Sequence, residues 1–358
     1  MQAQRTRKAR GERMEFGLFS NGERGNAVAQ TTYDEDLAEV VHADALGMSE
    51  AWISEHGTLL SWEKPDTMPS ADLFICKAAA LTKNIRMGPG IRPLPFFHPV
   101  QVATDVAVCD HLTGGRYLAG FGLGIGTGNG QRGELPGDRR VMMAEAIDLI
   151  LKCWTAHEPF DWDGEIWQGR NWHIVPKPLT RPRPEVGIAC SRTEGTLEMA
   201  AAKGFLPLMS WNPATEQIAQ MLSIYTGGSN DAIPVRRGRA RVARVVYVAE
   251  TDKQAYADMA KVDLGVPRAT GRLDHYIPEG GSRDDLSMVG LMKSGDFFGG
   301  SPDTVYAGLK NFYDAVGGFG TLLIVAGRNW GTWEQRRRSW TLFMEEVAPR
   351  LARLDPDQ

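Results

Sequence analysis

The stretch from Ile85 to Gly130 constrains the fold more than any other part of the chain. Ile85-Arg86-Met87 reads as a short strand stopped by Gly88-Pro89-Gly90, because proline removes a ladder donor and glycine allows backbone angles other residues avoid. After the connector Arg92 to Phe97, the run His98 to Leu112 places Val102, Val106, Cys109 and Leu112 three or four apart, the spacing of one helix stripe. Gly114-Gly115 ends that helix. Arg116 to Gly122 then alternates as a second strand and runs into the glycine-rich turn Leu123 to Gly130. Two parallel strands joined by a helix make a βαβ unit, and the turn after such a strand is where α/β proteins keep their ligands.

The same alternation continues on both sides. Upstream, strands are expected at Glu15 to Ser20 and Glu50 to Ile53, with helices after Thr31 or Thr32 and over Ala71 to Thr82. Downstream, Gly137-Asp138-Arg139 starts a helix, and His157 to Pro184 reads as an excursion carrying a hairpin. Strands at Glu185 to Cys190, Phe205 to Ser210, Arg241 to Ala249 and Thr321 to Ala326 alternate with helices that close at Trp333 to Leu351. About seven or eight strand-helix pairs favour a (β/α)8 TIM barrel with insertions over a doubly wound sheet. No break in composition divides Met14 to Gln358, which is read as a single barrel domain behind a disordered basic arm, Met1 to Arg13. The glycine-rich, polar segment Asp263 to Asp296 is too long for a simple connector, and such loops in barrels are often lids.

Composition removes several classes of function. A formal net charge of -4 gives no reason to expect nucleic acid as a partner. No apolar run approaches the roughly 18 residues of a membrane span, and the N-terminus lacks the apolar stretch of a secretory signal. Cys76, Cys109, Cys153 and Cys190 lie far apart, without the close pairs of a zinc site, and read as reduced thiols of a cytoplasmic protein. The histidines show no metal-ligand spacing, so no metal is expected.

In a barrel the chemistry sits at the carboxyl ends of the strands. His56 directly follows the second strand behind Glu55, where an imidazole suits a general base near neutral pH or, alternatively, closes a loop. Ser191-Arg192-Thr193, between a strand and a helix, combines helix-start N–H groups, hydroxyls and a guanidinium suited to a phosphate; the plainer alternative is an ordinary helix cap. Trp211 ends the next strand as a wall for an aromatic cofactor or as core. The glycines from Gly120 to Gly130 invite a dinucleotide-binding reading, but no complete G-x-G-x-x-G spacing is contained within that run.

Met14 to Phe19, Ser54-Glu55-His56-Gly57, His98-Pro99-Val100, Asp110 to Arg116, Gly122-Leu123-Gly124 and Gly317 to Leu323, taken together, resemble the bacterial luciferase-like flavin monooxygenases, in the branch with limonene and alkanal monooxygenases. The resemblance covers nearly all of Met14 to Leu351. It implies a barrel that receives reduced FMN from a separate NAD(P)H-dependent flavin reductase and forms a flavin hydroperoxide with dioxygen. One oxygen atom then goes to an organic substrate. His56 falls on the family's catalytic histidine. Cys190, Ser191, Arg192 and Thr193, with Thr196 beyond, fall in the segment that binds the flavin phosphate, and Gly88, Gly90 and Ile91 match the strand end against the isoalloxazine ring.

Where bacterial luciferase has a second histidine this chain has Gly57. Where it has a phosphate-binding arginine after the fourth strand this chain has Leu123, which leaves the phosphate to Arg192 or Arg139. A flavin hydroperoxide survives only in a dry site, which Trp62, Phe96, Phe97 and Trp211 are expected to line around an apolar, medium-sized substrate. Luciferase-like proteins are often dimers, so a homodimer is expected. The competing expectations are a deazaflavin-dependent oxidoreductase of the same fold and a flavin-binding protein without catalysis.

Overall fold

The computed structural model describes residues 13–20, 29–55, 68–124, 135–190, 193–228, 236–265, 268, 271, 273–326 and 331–357. All of the expected N-terminal arm except Arg13 lies outside them. The chain divides into two compact units, one of Leu18–Ala189 with Ala326–Asn329, the other of Met1–Gly17, Cys190–Val325 and Trp330–Gln358.

After β1 (Glu15–Ser20), the first unit holds α1 (Ala29–Ala45), β2 (Glu50–Ile53), α2 (Ala71–Ala79), β3 (Arg86–Pro89), β4 (Arg92–Pro93), α3 (Pro99–Leu112), β5 (Leu118–Gly122), α4 (Arg139–Thr155), the hairpin β6 (Phe160–Asp163) and β7 (Gln168–Trp172), and β8 (Glu185–Cys190). β2 and β3 pair in parallel with Trp52 opposite Gly88, and β5 pairs in parallel with both β4 and β8. Gly88-Pro89 does not stop β3 but continues it. Arg86 and Gly90 donate to β2, at the Ser49 and Ile53 carbonyls, while Met87 donates to Arg116 on the other side. Pro89 therefore faces the side where β3 meets the next strand through a single bridge, Met87 to Tyr117, and its missing N–H costs little. Glycine is required here by close approach: a Cβ on Gly88 would stand 2.3 Å from the Leu118 carbonyl oxygen, and one on Gly120 would stand 1.8 Å from that of Pro89.

α3 and α4 follow their sequence signals, whereas α1 already begins at Ala29, so the expected caps Thr31 and Thr32 lie inside it. Pro99 opens α3 and the His98 ring accepts from the Val100 N–H, while Asp138 caps α4 by accepting from Arg140 and Val141. The expected α3 stripe is buried at Val102, Val106 and Cys109, but Leu112 is 65% exposed. α4 buries its Met, Ile and Leu face, and the Trp154 indole donates to the Ala103 carbonyl at 3.0 Å, joining it to α3. The hairpin turn is held by Glu145, whose carboxylate accepts from the Ile166 and Trp167 N–H groups and the Trp162 indole. In the strand layer, buried Glu50 and Arg86 form an ion pair that extends to Glu185.

The second unit holds α5 (Glu194–Lys203), β9 (Leu206–Met209), α6 (Thr215–Gly227), β10 (Arg241–Val248), α7 (Asp252–Met259), α8 (Met288–Ser294), β11 (Phe298–Gly300), α9 (Pro302–Val316), β12 (Thr321–Ala326), and α10 (Trp333–Leu342), which passes through a π-turn into α11 (Ala348–Leu351). β10 is buried along its whole length and pairs in parallel with β9, β11 and β12. Fully buried Arg244 belongs to it. That guanidinium donates to the carbonyls of Ser210, Trp211, Pro213 and Ala243 and lies over the Phe312 ring at 4.5 Å.

The segment expected to be a polar loop, 263–296, contains regular structure among its described residues. It forms 3-10 turns at Asp274–Tyr276 and Arg283–Asp285, and then α8. Reciprocal capping by Ser282 and Asp285, a paired Arg283–Asp274 contact and the Ser287 cap supply the local bonds that its glycines hid in the sequence. Its middle docks by His275, whose Nε2 is 2.8 Å from the Asn212 carbonyl, and by Tyr276, which packs on Phe297.

Candidate functional site

In the first unit, the carboxyl ends of β2 and β3 come together. The Gly90 N–H donates to the Ile53 carbonyl at 2.6 Å, and the Gly90–Ile91 peptide is cis. Position 90 lies against Phe19 and Trp52, whose atoms would stand 3.1 Å from a Cβ there. Ile91 packs over Gly122, where a Cβ would be 2.9 Å from the Ile91 side chain. Phe96 and Phe97, both half-buried, follow directly. Gly88, Gly90, Ile91, Phe96 and Phe97 therefore form one neighbourhood, with Ser54 and Glu55 at the end of β2 beside it. The Ser54 hydroxyl is buried and has no hydrogen-bond partner among the described residues.

Arg92 organises this neighbourhood, although sequence reading placed it in a connector. Its buried guanidinium meets the Asp72 carboxylate at 2.8 Å, Asp105 at 3.3 Å and Glu55 at 3.6 Å, and it lies 4.9 Å from the centre of the Phe97 ring. Glu55 also accepts from the Ala71 N–H at the start of α2, and Asp72 accepts from the Tyr117 hydroxyl at 2.5 Å. Burial alone would lower the arginine's pKa, but Asp72, Tyr117, Glu55 and Asp105 outweigh it and hold the cation firmly protonated. Burial raises the Asp72 carboxyl above the usual range, against the opposing pull of Arg92 and Tyr117. Tyr117 is raised well above the ordinary phenol value, by burial first and then by Asp72. The cluster is thus a buried clamp joining the end of β2, the starts of α2 and β4, and the body of α3.

Cys190, the last residue of β8 and the only one of that strand assigned to the second unit, is buried, its thiol pushed up to about 12 by desolvation, so it offers a neutral wall rather than a nucleophile. Thr193 is the N-cap residue of α5, yet its hydroxyl makes no capping bond among the described residues; the Thr196 N–H donates instead to the Thr193 carbonyl. Trp211 is buried and packs on Phe297 with ring centres 5.9 Å apart; its carbonyl is one of those gathered by Arg244. His56, Trp62, Ser191 and Arg192 lie outside the described residues. Among the described residues no group of three or more His, Cys, Asp or Glu side chains could hold a metal ion, and no helix is long and apolar enough to cross a membrane.

The family described as luciferase-like monooxygenase matches residues 14–317. This chain belongs to that family. It is similar to limonene 1,2-monooxygenase of Rhodococcus erythropolis, with 29% identity over 346 residues, covering 94% of this chain and 86% of that protein. It is also similar to 3,6-diketocamphane 1,6-monooxygenase of Pseudomonas putida, with 27% identity covering 94% of this chain and 98% of that protein. A solved structure, the oxygenating constituent of 3,6-diketocamphane monooxygenase from Pseudomonas putida in complex with FMN, superposes with a TM-score of 0.83 at 26% identity, covering 95% of this chain and 99% of that one. The (β/α)8 barrel expected from the strand-helix alternation is the fold of this family member.

Proposed function

We propose that this chain is the oxygenase component of a two-component FMN-dependent monooxygenase. The enzyme class follows from the family match and from likeness to named monooxygenases along almost the whole chain. The observation that carries the reading to a site is the strand-end neighbourhood of Gly88, Gly90 and Ile91, held beside Glu55 by the Arg92 clamp and followed by the aromatic pair Phe96 and Phe97. When bound, the reduced flavin supplies the two electrons that activate dioxygen, so that one oxygen atom enters the substrate and the other leaves as water.

Each residue then has a defined task. Gly88, Gly90 and Ile91 present a side-chain-poor strand end to the flat ring. The unpartnered Ser54 hydroxyl is free to hydrogen-bond to a ligand there. His56, next in the chain after Glu55, moves or holds a proton at the reacting centre. Cys190, Ser191, Arg192, Thr193 and the N–H groups at the start of α5 take the phosphate, and Trp211 walls the cofactor. Arg139 remains the alternative guanidinium for that charge; its Nη1 is buried with no hydrogen-bond partner among the described residues. Trp62, Phe96 and Phe97 exclude water and favour an apolar, medium-sized substrate. A separate NAD(P)H-dependent reductase delivers the reduced flavin. The chain acts as a homodimer, for which the exposed Leu73 and Leu81 at α2 and Val108 and Leu112 on α3 supply an apolar face.

Purified protein mixed anaerobically with chemically reduced FMN and then exposed to oxygen tests the reading. The expected result is an oxygenated-flavin absorbance that outlives that of free reduced FMN, with product formed when a cyclic ketone or terpene is added. Loss of product in His56→Ala, with FMN binding kept within a few-fold, supports the histidine's role. Absence of that absorbance, combined with tight binding of a deazaflavin, would replace the proposal with hydride transfer. FMN binding without any substrate turnover would reduce it to a flavin carrier.

A further inference from the structure

Two of the four thiols face each other across a helix pair. Cys76 on α2 and Cys109 on α3 lie 33 residues apart in sequence, with their sulfurs at 3.6 Å. Cys76 is half-buried and Cys109 is buried, so of the two residues Cys76 is the one that keeps exposed surface. Once Cys76 is deprotonated, the Cys109 S–H is left to donate to it. That bond lowers the Cys76 pKa against the opposing effects of burial and Asp72, while the same bond and burial raise the Cys109 pKa. An accessible thiolate backed by a protonated partner is the arrangement of an attacking and a resolving cysteine. A disulfide needs about 2.05 Å between sulfurs, so closure takes a shift of about 1.5 Å.

We propose that Cys76 and Cys109 form a peroxide-oxidised dithiol that closes to a disulfide between α2 and α3 within one chain. In the first step the Cys76 thiolate attacks one oxygen of hydrogen peroxide. The S–O bond forms, the O–O bond breaks, and the hydroxide released takes up the proton Cys76 had lost and leaves as water. In the second step the Cys109 sulfur attacks the sulfenic acid on Cys76. The S–S bond forms, the S–O bond breaks, and the departing hydroxide takes the Cys109 proton as a second water. The two sulfurs together give up two electrons, and the peroxide is reduced by two.

Reduced flavin that meets oxygen without transferring an atom to substrate releases hydrogen peroxide, so the proposed activity makes this oxidant on the same molecule; the thiol pair itself does not depend on that reading. The position adds a consequence. Asp72 lies four residues before Cys76 and Asp105 four before Cys109, one helical turn in each case, and both carboxylates hold Arg92. The disulfide would therefore fasten together the two helices that grip the Arg92 clamp. Cys76 lies off the Leu73–Lys77–Leu81 ridge, on the flank turned to α3, so the apolar face described above does not include it.

The test uses the reduced full-length protein, treated with a small molar excess of hydrogen peroxide, quenched with catalase, denatured and titrated for thiols. The expected result is a fall from four free thiols to two, a Cys76–Cys109 linked peptide by mass spectrometry, and recovery of all four with dithiothreitol. Cys109→Ser is expected to halt at the sulfenic acid, trapped on Cys76 by dimedone, and Cys76→Ser to keep its remaining thiols reduced. Cys109→Ala and Cys76→Ala, checked for native melting, repeat both arms should either serine variant fail to fold. Four thiols surviving treatment, loss of Cys153 or Cys190 at the same rate, or a disulfide joining two chains on a non-reducing gel would overturn the proposal.

Discussion

Replacing Arg92 by methionine removes the cation from a buried cluster while keeping much of its volume, and it tests the clamp directly. Asp72 and Glu55 meet the guanidinium at 2.8 and 3.6 Å with their side chains almost entirely shielded from water, whereas Asp105 is 38% exposed and contributes less. At an effective dielectric near 20, a contact at such distances carries attraction of about 4 kcal/mol or more before desolvation is counted. Removing one partner of a buried pair typically costs about 3–5 kcal/mol net, because the other charge is left uncompensated. For a chain of this size that is a melting-temperature loss of roughly 6–10 °C, taking about 2 °C per kcal/mol.

The loss has a definite pH dependence. The Asp72 carboxyl already sits above its usual range because burial outweighs Arg92 and Tyr117. A carboxyl raised in this way favours the folded state fully below its unfolded value and loses that contribution as pH rises through the folded value. Without Arg92 the folded value rises further, so the deficit of Arg92→Met relative to the parent is expected to be small near pH 4 and full by pH 8. Differential scanning fluorimetry across that range measures it. Adding Asp72→Asn to the variant removes the orphaned charge and is expected to recover about 1–3 kcal/mol at pH 8. A deficit below about 1 kcal/mol at pH 8, a deficit independent of pH, or a double variant no more stable than the single one would refute the clamp.

Gly120→Ala places a Cβ 1.8 Å from the Pro89 carbonyl oxygen, where backbone must move, so destabilisation above the roughly 1–3 kcal/mol of ordinary overpacking is expected in chemical denaturation. Leu73→Glu with Leu112→Glu places two charges on leucines that are 75% and 65% exposed, and light scattering is expected to show a dimer of 39.4 kDa chains become a monomer with unchanged melting. Arg244→Met leaves the carbonyls of Ser210, Trp211 and Pro213 without their donor, at about 1–3 kcal/mol for each that stays buried. The expected sign is a lower melting temperature together with red-shifted tryptophan emission, as Trp211 loosens.

Local order was legible wherever the chemistry was local. The α3 boundaries could be read because Pro99 and Gly114-Gly115 stand at its two ends, and α4 because Asp138 caps it. Elements without a pattern could not: β4 is two residues long, and β11 is Phe298-Gly299-Gly300. Gly88-Pro89 read as a stop because the rule for proline assumes partners on both edges, and β3 has only a single bridge where Pro89 points. The misplacement of Leu112 has a related cause, since helical periodicity says which residues share a face but not whether anything covers it.

The site divides along the same line. Residues such as Gly90 and Thr193 could be singled out as candidates because they lie at strand ends and helix starts that the alternation reveals. Arg92, Asp72 and Tyr117 were not, because the clamp takes one side chain from each of five segments scattered between Glu55 and Tyr117. Nothing in the spacing of 55, 72, 92, 105 and 117 links them until the strands are laid side by side. A charged residue in a loop reads as solvated by default. What contradicts that reading is burial together with an excess of opposite charge, and both properties belong to the packed chain. If the clamp holds Glu55 in place, part of the control over the proposed chemistry is carried by residues that need not touch substrate.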